Sequence, residues 1–268
     1  MVDTWIIALG GINLALFVLS ILFIVPRDFY KIKISNLMHY AFQHINYIVI
    51  ILAVVIFHLV EVNIIDPIID NLINFDFATV LDNFEGGIVS GFSNLWNPAL
   101  VTFFVFIYIG VYPFTLWFSP FYFLVTNNVK SMKTLAYGLF SIYLIALPFY
   151  LFIPVTNVYK FYQLDSALNN VLPSVETFFY SLTTQNNCFP SLHTAMTILI
   201  AWCAYLTGNK KLSYFTIFCA IAVIISVLYL CIHWITDVIA GAAIAIVVIV
   251  LLNRTIRNNV TNDFDTAN

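Results

Sequence analysis

"LSYFTIFCAIAVIISVLYLCIHWITDVIAGAAIAIVVIVLL", residues 212–252, is a run of 41 residues whose only ionisable groups of strong hydration are His233 and Asp237. As one α-helix it would measure about 60 Å at ~1.5 Å per residue, twice the ~30 Å hydrocarbon core of a bilayer. The run has to turn near its middle, and His233 lies at that turn. In lipid every backbone polar group must be satisfied internally, so the two halves are predicted to be helices and the fold class all-α.

The rest of the chain has the same character. Of its 268 residues 62% are hydrophobic and 9% charged, against roughly 25% charged in an average soluble domain. Apolar runs predict spans near 4–25, 43–63, 98–124, 134–155, 190–207, 213–232 and 235–252. The run over 98–124 is long but crosses once, with a kink expected at Pro113 or Pro120. The expected architecture is a polytopic membrane helix bundle of about seven transmembrane helices, with residues 1–257 as a single transmembrane domain and 258–268 as a polar, disordered tail. The first apolar run lacks the basic region and small-residue cleavage site of a signal peptide and is expected to stay as an anchor.

Charge and cysteine usage exclude some functions. The net charge is -3 and the cations are scattered, which argues against a nucleic-acid partner. Cys188, Cys203, Cys219 and Cys231 lack metal-ligand spacing, so no metal is expected and the thiols are read as buried. An outer-face Cys188–Cys231 disulfide is the minor alternative.

Cytoplasmic loops are enriched in Lys and Arg. With the N-terminus outside and the C-terminus cytoplasmic, the inner loops hold Arg27, Lys31, Lys33, Lys130, Lys133, Lys210, Lys211, Arg254 and Arg257, nine of the ten cations. Lys160 is left outside, and the setting is expected to be a cell membrane. The outer segment 64–97 carries Asp66, Asp70, Asp76, Asp82 and Glu85 but no Lys or Arg. Its fourfold repeat of Ile64, Ile68, Leu72 predicts a helix on the membrane surface, ended by Gly86, Gly87 and Gly91, as either a connector or a lid.

Under this topology Lys160, His193 and the pair His233/Asp237 share one face. Pro190 suits the first turn of a helix, placing Ser191 and His193 at a helix start. Asp237, four residues after His233, can fix its ring tautomer and leave the other nitrogen as base or nucleophile. The bland alternative is an interfacial pair with no reaction. Two helix N-termini aimed at one spot would favour an anion, phosphate first. His58 and Glu61 could contact substrate or satisfy one another; His39 and His44 are expected to be interfacial.

"CFPSLHTA" (188–195) resembles the Pro-Ser-x-His motif of the type 2 phosphatidic acid phosphatase, or lipid phosphate phosphatase, superfamily. "SVLYLCIHWITDVIAG" (226–241) resembles its next motif, a His-x3-Asp seven residues after a serine. The resemblance covers about residues 98–252 and implies a six-helix phosphatase-like core. It makes His233 the nucleophile, Asp237 its orienting partner and His193 the acid for the leaving oxygen. Ser191, the backbone N–H of Leu192 and Lys160 would bind phosphate. The arginine that usually follows the serine is Val227 here, and the K-x6-R-P motif is absent. The absent arginine, the "FPSLH" wording and the placement of Lys160 in "FIPVTNVYKFY" lean toward the inositol phosphorylceramide synthase-like branch, and on this reading Lys160 is the main positive charge at the site. The resemblance implies a lipid phosphatase or phosphotransferase acting extracytoplasmically on a lipid phosphate or diphosphate, with no cofactor. A headgroup transferase, a metal-dependent hydrolase on His193, His233 and Asp237, and a non-enzymatic transporter are the alternatives.

Overall fold

A computed structural model describes residues 4–73 and 75–265, without the side chains of 4, 31, 70 and 256–265. Its helices are α1 (Thr4–Phe23), α2 (Ile34–Gln43), α3 (Ile45–Ile69), α4 (Ala78–Glu85), α5 (Pro98–Val125), α6 (Val129–Phe152), α7 (Leu192–Leu206), α8 (Lys210–Tyr229) and α9 (Ile235–Asp265), with shorter turns between α6 and α7. Among the described residues the only extended pairing is an isolated bridge, Val155 to Asn187. Helices α1, α3, α5, α6, α8 and the apolar part of α9 are long and apolar enough to cross a bilayer. The chain is an all-α integral membrane protein.

The seventh expected span, 190–207, differs. Its helix α7 has 15 residues, about 22 Å, short of a bilayer by itself. It is surrounded by protein, packing against α6, α8 and α9, and its Leu199, Ile200, Cys203 and Ala204 are buried in the core. Helices α5 to α8 all start with capped N-termini: Asn97, Asn128, Ser191 and Asn209 accept from backbone N–H groups two or three residues on, as short polar side chains do at this position.

Two spans contain wide π-type turns. In α3 this is Glu61–Ile65, where the N–H of Asp66 donates to the carbonyl of Glu61. In α5 it is Phe106–Val111, where Tyr112 donates to Ile107. Each stands just before a proline, Pro67 and Pro113. A proline ring clashes with the carbonyl four residues back and offers no N–H, and widening the turn ahead of it relieves that clash. The irregularity expected at Pro113 or Pro120 is thus placed at Pro113. The repeat read as a surface helix over 64–73 is largely the end of α3, which continues through its π-turn as far as Ile69. Helix α9 likewise runs past the end of its apolar run at Leu252 into the tail expected to be disordered, as far as Asp265; residues 266–268 lie outside the described residues. Helix α2 was not expected, because ten residues are too few for a span; none is buried, and Ile34, Met38 and Phe42 are exposed.

The loops gather at two ends. At one, Asn209 donates to the carbonyl of Ile24 and to Tyr122 Oη (3.0 and 2.7 Å), and His44 Nε2 meets Asn127 Oδ1 at 2.9 Å. The loops beginning at Pro26, Thr126 and Thr207 therefore meet there, with Arg27 in the first and Lys130 and Lys210 in the first turns of the helices that follow the other two. His44, expected to be interfacial, is fully buried as one of these links. The other end, one length of α7 away, holds His193 and His233.

The rest of segment 64–97 folds over that second end. Asp76 Oδ1 accepts from the N–H groups of Ala78 and Thr156 (2.9 and 3.1 Å), Trp96 donates to the Tyr229 carbonyl at 2.7 Å and Tyr229 returns a bond to Leu95. Gly86, at φ +64°, ends α4 in the left-handed conformation. These ties make the segment a fastened strap over the bundle end.

The contact between α7 and α9 in this region is backbone on backbone. The N–H of Ser191 donates to the Asp237 carbonyl at 3.0 Å, and a Cβ at Gly241 would lie 2.3 Å from the Ser191 carbonyl oxygen. Gly241→Ala must therefore push α7 and α9 apart. It should cost about 1–3 kcal/mol, read as a lower melting temperature in detergent; an unchanged melt would show that the crossing yields freely.

Candidate active site

Ser191 caps α7 through its Oγ, which accepts from the Thr194 N–H at 3.3 Å. Pro190 stands before the cap, joined to Phe189 by a cis peptide bond, and so lies outside the first helical turn where it was expected. His193 is the second residue of α7. On the other side of the crossing His233 also lies outside its helix, two residues ahead of α9. Asp237, in the first turn of α9, reaches back: its Oδ2 accepts from the Trp234 N–H at 2.9 Å and meets His233 Nδ1 at 3.3 Å. The pairing expected within one helix is thus a carboxylate closing the turn that leads into it.

The decisive distance is between motifs. His193 Nδ1 lies 3.1 Å from His233 Nε2, so His193, His233 and Asp237 form one hydrogen-bonded chain. Asp237 is fully buried and His233 nearly so. A carboxylate on Nδ1 holds the proton there and leaves a lone pair on Nε2. That lone pair faces the second imidazole, which can give or take a proton at the same place. The His193 ring is lined by Tyr108, Tyr112 and Phe179, with ring centroids at 5.0, 4.9 and 6.4 Å.

One short stretch, 154–159, holds both motifs in register. The N–H groups of Val155 and Asn157 donate to the carbonyls of Asn186 and Gln185, and Cys188 donates to Val155. On the other flank Tyr159 donates to the Cys231 carbonyl at 2.8 Å, and Trp234 Nε1 donates to Thr156 at 2.9 Å.

A search against family descriptions matches residues 79–251 to the PAP2 superfamily, over both motifs and the helices that carry them. The chain belongs to the PAP2 superfamily. The match begins within α4, so it takes in part of the strap as well as the segment expected to be the core. No curated protein and no solved structure matches the chain.

In this PAP2 superfamily site the protein itself fills the N-terminus of α9 and caps that of α7 in part. Glu85, buried beneath the strap, accepts from the N–H groups of Ile235 and Thr236 at 3.1 and 2.7 Å. The start of α9 is therefore occupied, contrary to the expectation of two free helix ends. At α7 the Ser191 hydroxyl is fully buried and engaged as the cap, whereas the N–H groups of Leu192 and His193 have no acceptor among the described residues. Lys160 follows Tyr159 on the 154–159 stretch, but its side chain is exposed and makes no hydrogen bond or ion pair among the described residues. Val227 is fully buried in an apolar cluster with Tyr108 and Ile107, so that position supplies no positive charge to the site.

His58 and Glu61 belong to a second polar group beside the first. Glu61, fully buried, accepts from Tyr143 at 3.0 Å and from Asn187 at 2.8 Å and pairs with His58 Nδ1 at 3.2 Å. Asn187 also donates to Asp66. The pair is thus satisfied, and by more partners than each other: it anchors the residue before Cys188. Cys188 and Cys231 are free buried thiols and not a disulfide; burial pushes the Cys231 thiol up to about 12 and raises that of Cys188 as well. Donor atoms of Cys188, His233 and Asp237 lie within 4.8 Å of one another, a mixed S, N and O set of the kind a transition metal accepts. Two of its members already bond to each other.

Glu85 is the residue that sequence reasoning passed over. Its signal was faint: an acidic residue directly before Gly86–Gly87, where a helix should end. Glu85→Ala leaves two helix N–H groups without an acceptor and should cost about 1–3 kcal/mol. Glu85→Gln, which keeps one carbonyl oxygen, should cost less. Melting curves of the two variants check the order.

Proposed function

We propose that this chain is a membrane-embedded phosphoesterase that dephosphorylates a lipid phosphate or diphosphate through a phosphohistidine at His233. The observation that carries the reading is the 3.1 Å contact between His193 Nδ1 and His233 Nε2, in a chain of the PAP2 superfamily. A phosphoryl group entering between the rings replaces that contact. His233 Nε2 attacks phosphorus as the bond to the lipid oxygen breaks, and protonated His193 gives that oxygen its proton. In the second step neutral His193 takes a proton from water, whose oxygen attacks phosphorus and breaks the P–N bond. Asp237 stabilises the imidazolium of His233 while it is being formed and consumed.

The N–H groups of Leu192 and His193 would hold phosphoryl oxygens, with Ser191 acting through the cap that fixes them. Lys160, exposed at the edge of the site, would meet the headgroup on its approach. A lipid or alcohol hydroxyl in place of water turns the same two steps into headgroup transfer. Val227 and the "FPSLH" wording support that second reading, in which the chain resembles inositol phosphorylceramide synthases. Products formed with and without inositol or glycerol separate the two.

His233→Ala should abolish turnover of a lipid phosphate panel and trapping of a 32P-labelled protein intermediate. His193→Ala should spare a substrate with a good leaving group far more than one with a poor leaving group, because acid help matters less when the leaving oxygen is already stable. Equal losses on both substrates would overturn the division of roles.

The proposed topology puts the site and the N-terminus outside and the C-terminus in the cytoplasm. Single cysteines introduced at positions 160 and 210 should then react with an impermeant reagent from opposite faces. Labelling of both from one face would refute it.

A further inference from the structure

We infer that Tyr108 is a further substrate-binding residue, whose phenolic O–H donates a hydrogen bond to the phosphoryl group held between His193 and His233. The inference rests on the phosphoryl transfer proposed above and adds a donor that neither motif contains.

Tyr108 is fully buried, yet its hydroxyl has no hydrogen-bond partner among the described residues. The other tyrosines nearby do have partners. Tyr112 donates to Met196 Sδ at 3.7 Å, Tyr150 to the Pro190 carbonyl at 2.7 Å, Tyr143 to Glu61 at 3.0 Å, and Tyr159 to Glu176. Buried hydroxyls are almost always satisfied, and an exception calls for a missing ligand or a catalytic role.

The position of Tyr108 indicates which ligand. Its ring centroid is 5.0 Å from that of His193, and its hydroxyl has Tyr112, Cys188 and Tyr159 as its electrostatic neighbours. The sulfur of Cys188 lies within 4.8 Å of donor atoms of both His233 and Asp237. Tyr108 is therefore buried beside the histidine chain and not exposed toward lipid. The π-turn Phe106–Val111 carries Tyr108, and such turns re-aim side chains at the point where the helix widens.

The chemistry fits an anion with several acceptor oxygens. A neutral phenol is a good donor to a phosphoryl oxygen, and no Lys or Arg ammonium or guanidinium group bonds to the site among the described residues. With Val227 apolar and Lys160 exposed, charge developing on the phosphoryl oxygens would be met by preorganised neutral donors: the N–H groups of Leu192 and His193 and the Tyr108 hydroxyl. Such donors contribute most where they need not reorganise during the reaction.

The test is Tyr108→Phe in the purified full-length protein, beside wild type and His233→Ala. Phenylalanine keeps the ring packing and removes only the hydroxyl. Because that hydroxyl has no hydrogen-bond partner among the described residues, the melting temperature should stay level or rise. The kcat should fall by about 10²-fold, as for loss of one oxyanion donor, with a smaller change in KM, and the inhibition constant of orthovanadate should rise at least about 10-fold. Wild-type kcat and unchanged orthovanadate inhibition in Tyr108→Phe would overturn the inference while leaving the function standing. A drop in melting temperature of several degrees would do so too, since the hydroxyl would then be structural. A wild-type protein with no turnover that His233→Ala removes would instead overturn the phosphoryl-transfer reading, and this inference with it.

Discussion

The site depends on how closely two backbones can approach. Ser191 and Asp237 share a main-chain hydrogen bond of 3.0 Å, and Gly241 leaves the space that the Ser191 carbonyl fills. With any side chain at 241, α7 would have to move away from α9, and the 3.1 Å contact between His193 and His233 would open. Small residues at helix crossings in membranes serve this purpose, because packing and not water exclusion draws such helices together. Helix α7 itself is too short to span lipid alone and owes its place to the helices around it.

Beyond the helix ends the polypeptide has to satisfy its own backbone, and it does so with two stretches of loop. Residues 154–159 bond to the segment before Pro190 on one side and to the turn before His233 on the other. The strap 76–96 adds Glu85, whose carboxylate takes two N–H groups at the start of α9. A carboxylate there favours the positive end of the helix dipole. It also stabilises the turn from which Asp237 reaches back to His233, so a residue far from both motifs in the chain bears on their geometry. The Glu61–Asn187 bond does the same for the stretch before Cys188.

Prolines shape the inner surfaces of two spans in parallel ways. Pro67 and Pro113 each follow a wide turn, and each wide turn carries a residue that is turned inward, Glu61 and Tyr108. One holds a polar group bonded to several partners; the other carries a hydroxyl with no partner among the described residues. The same local distortion can therefore serve anchoring in one helix and binding in another, depending on what the facing helices supply.

What the sequence by itself determined is the class of the molecule and the superfamily to which its two motifs belong. Apolar runs of about 20 residues admit only helices in lipid, and the 41-residue run over 212–252 could only be a hairpin with His233 at its turn. The spacing of His233 and Asp237 marked a pair, and the order of the two motifs pointed to the superfamily that the chain belongs to. Only the tertiary structure decided which group fills which donor. Local spacing could not show that Glu85 occupies the start of α9, that Asp237 closes a turn from inside its helix, or that His44 is buried. Nor could it show that the Lys160 side chain is exposed, without a hydrogen bond or ion pair among the described residues, or that Tyr108 lies beside His193. Each of these is a contact between segments far apart in the chain, and such contacts depend on where the helices cross, which no period in the sequence records.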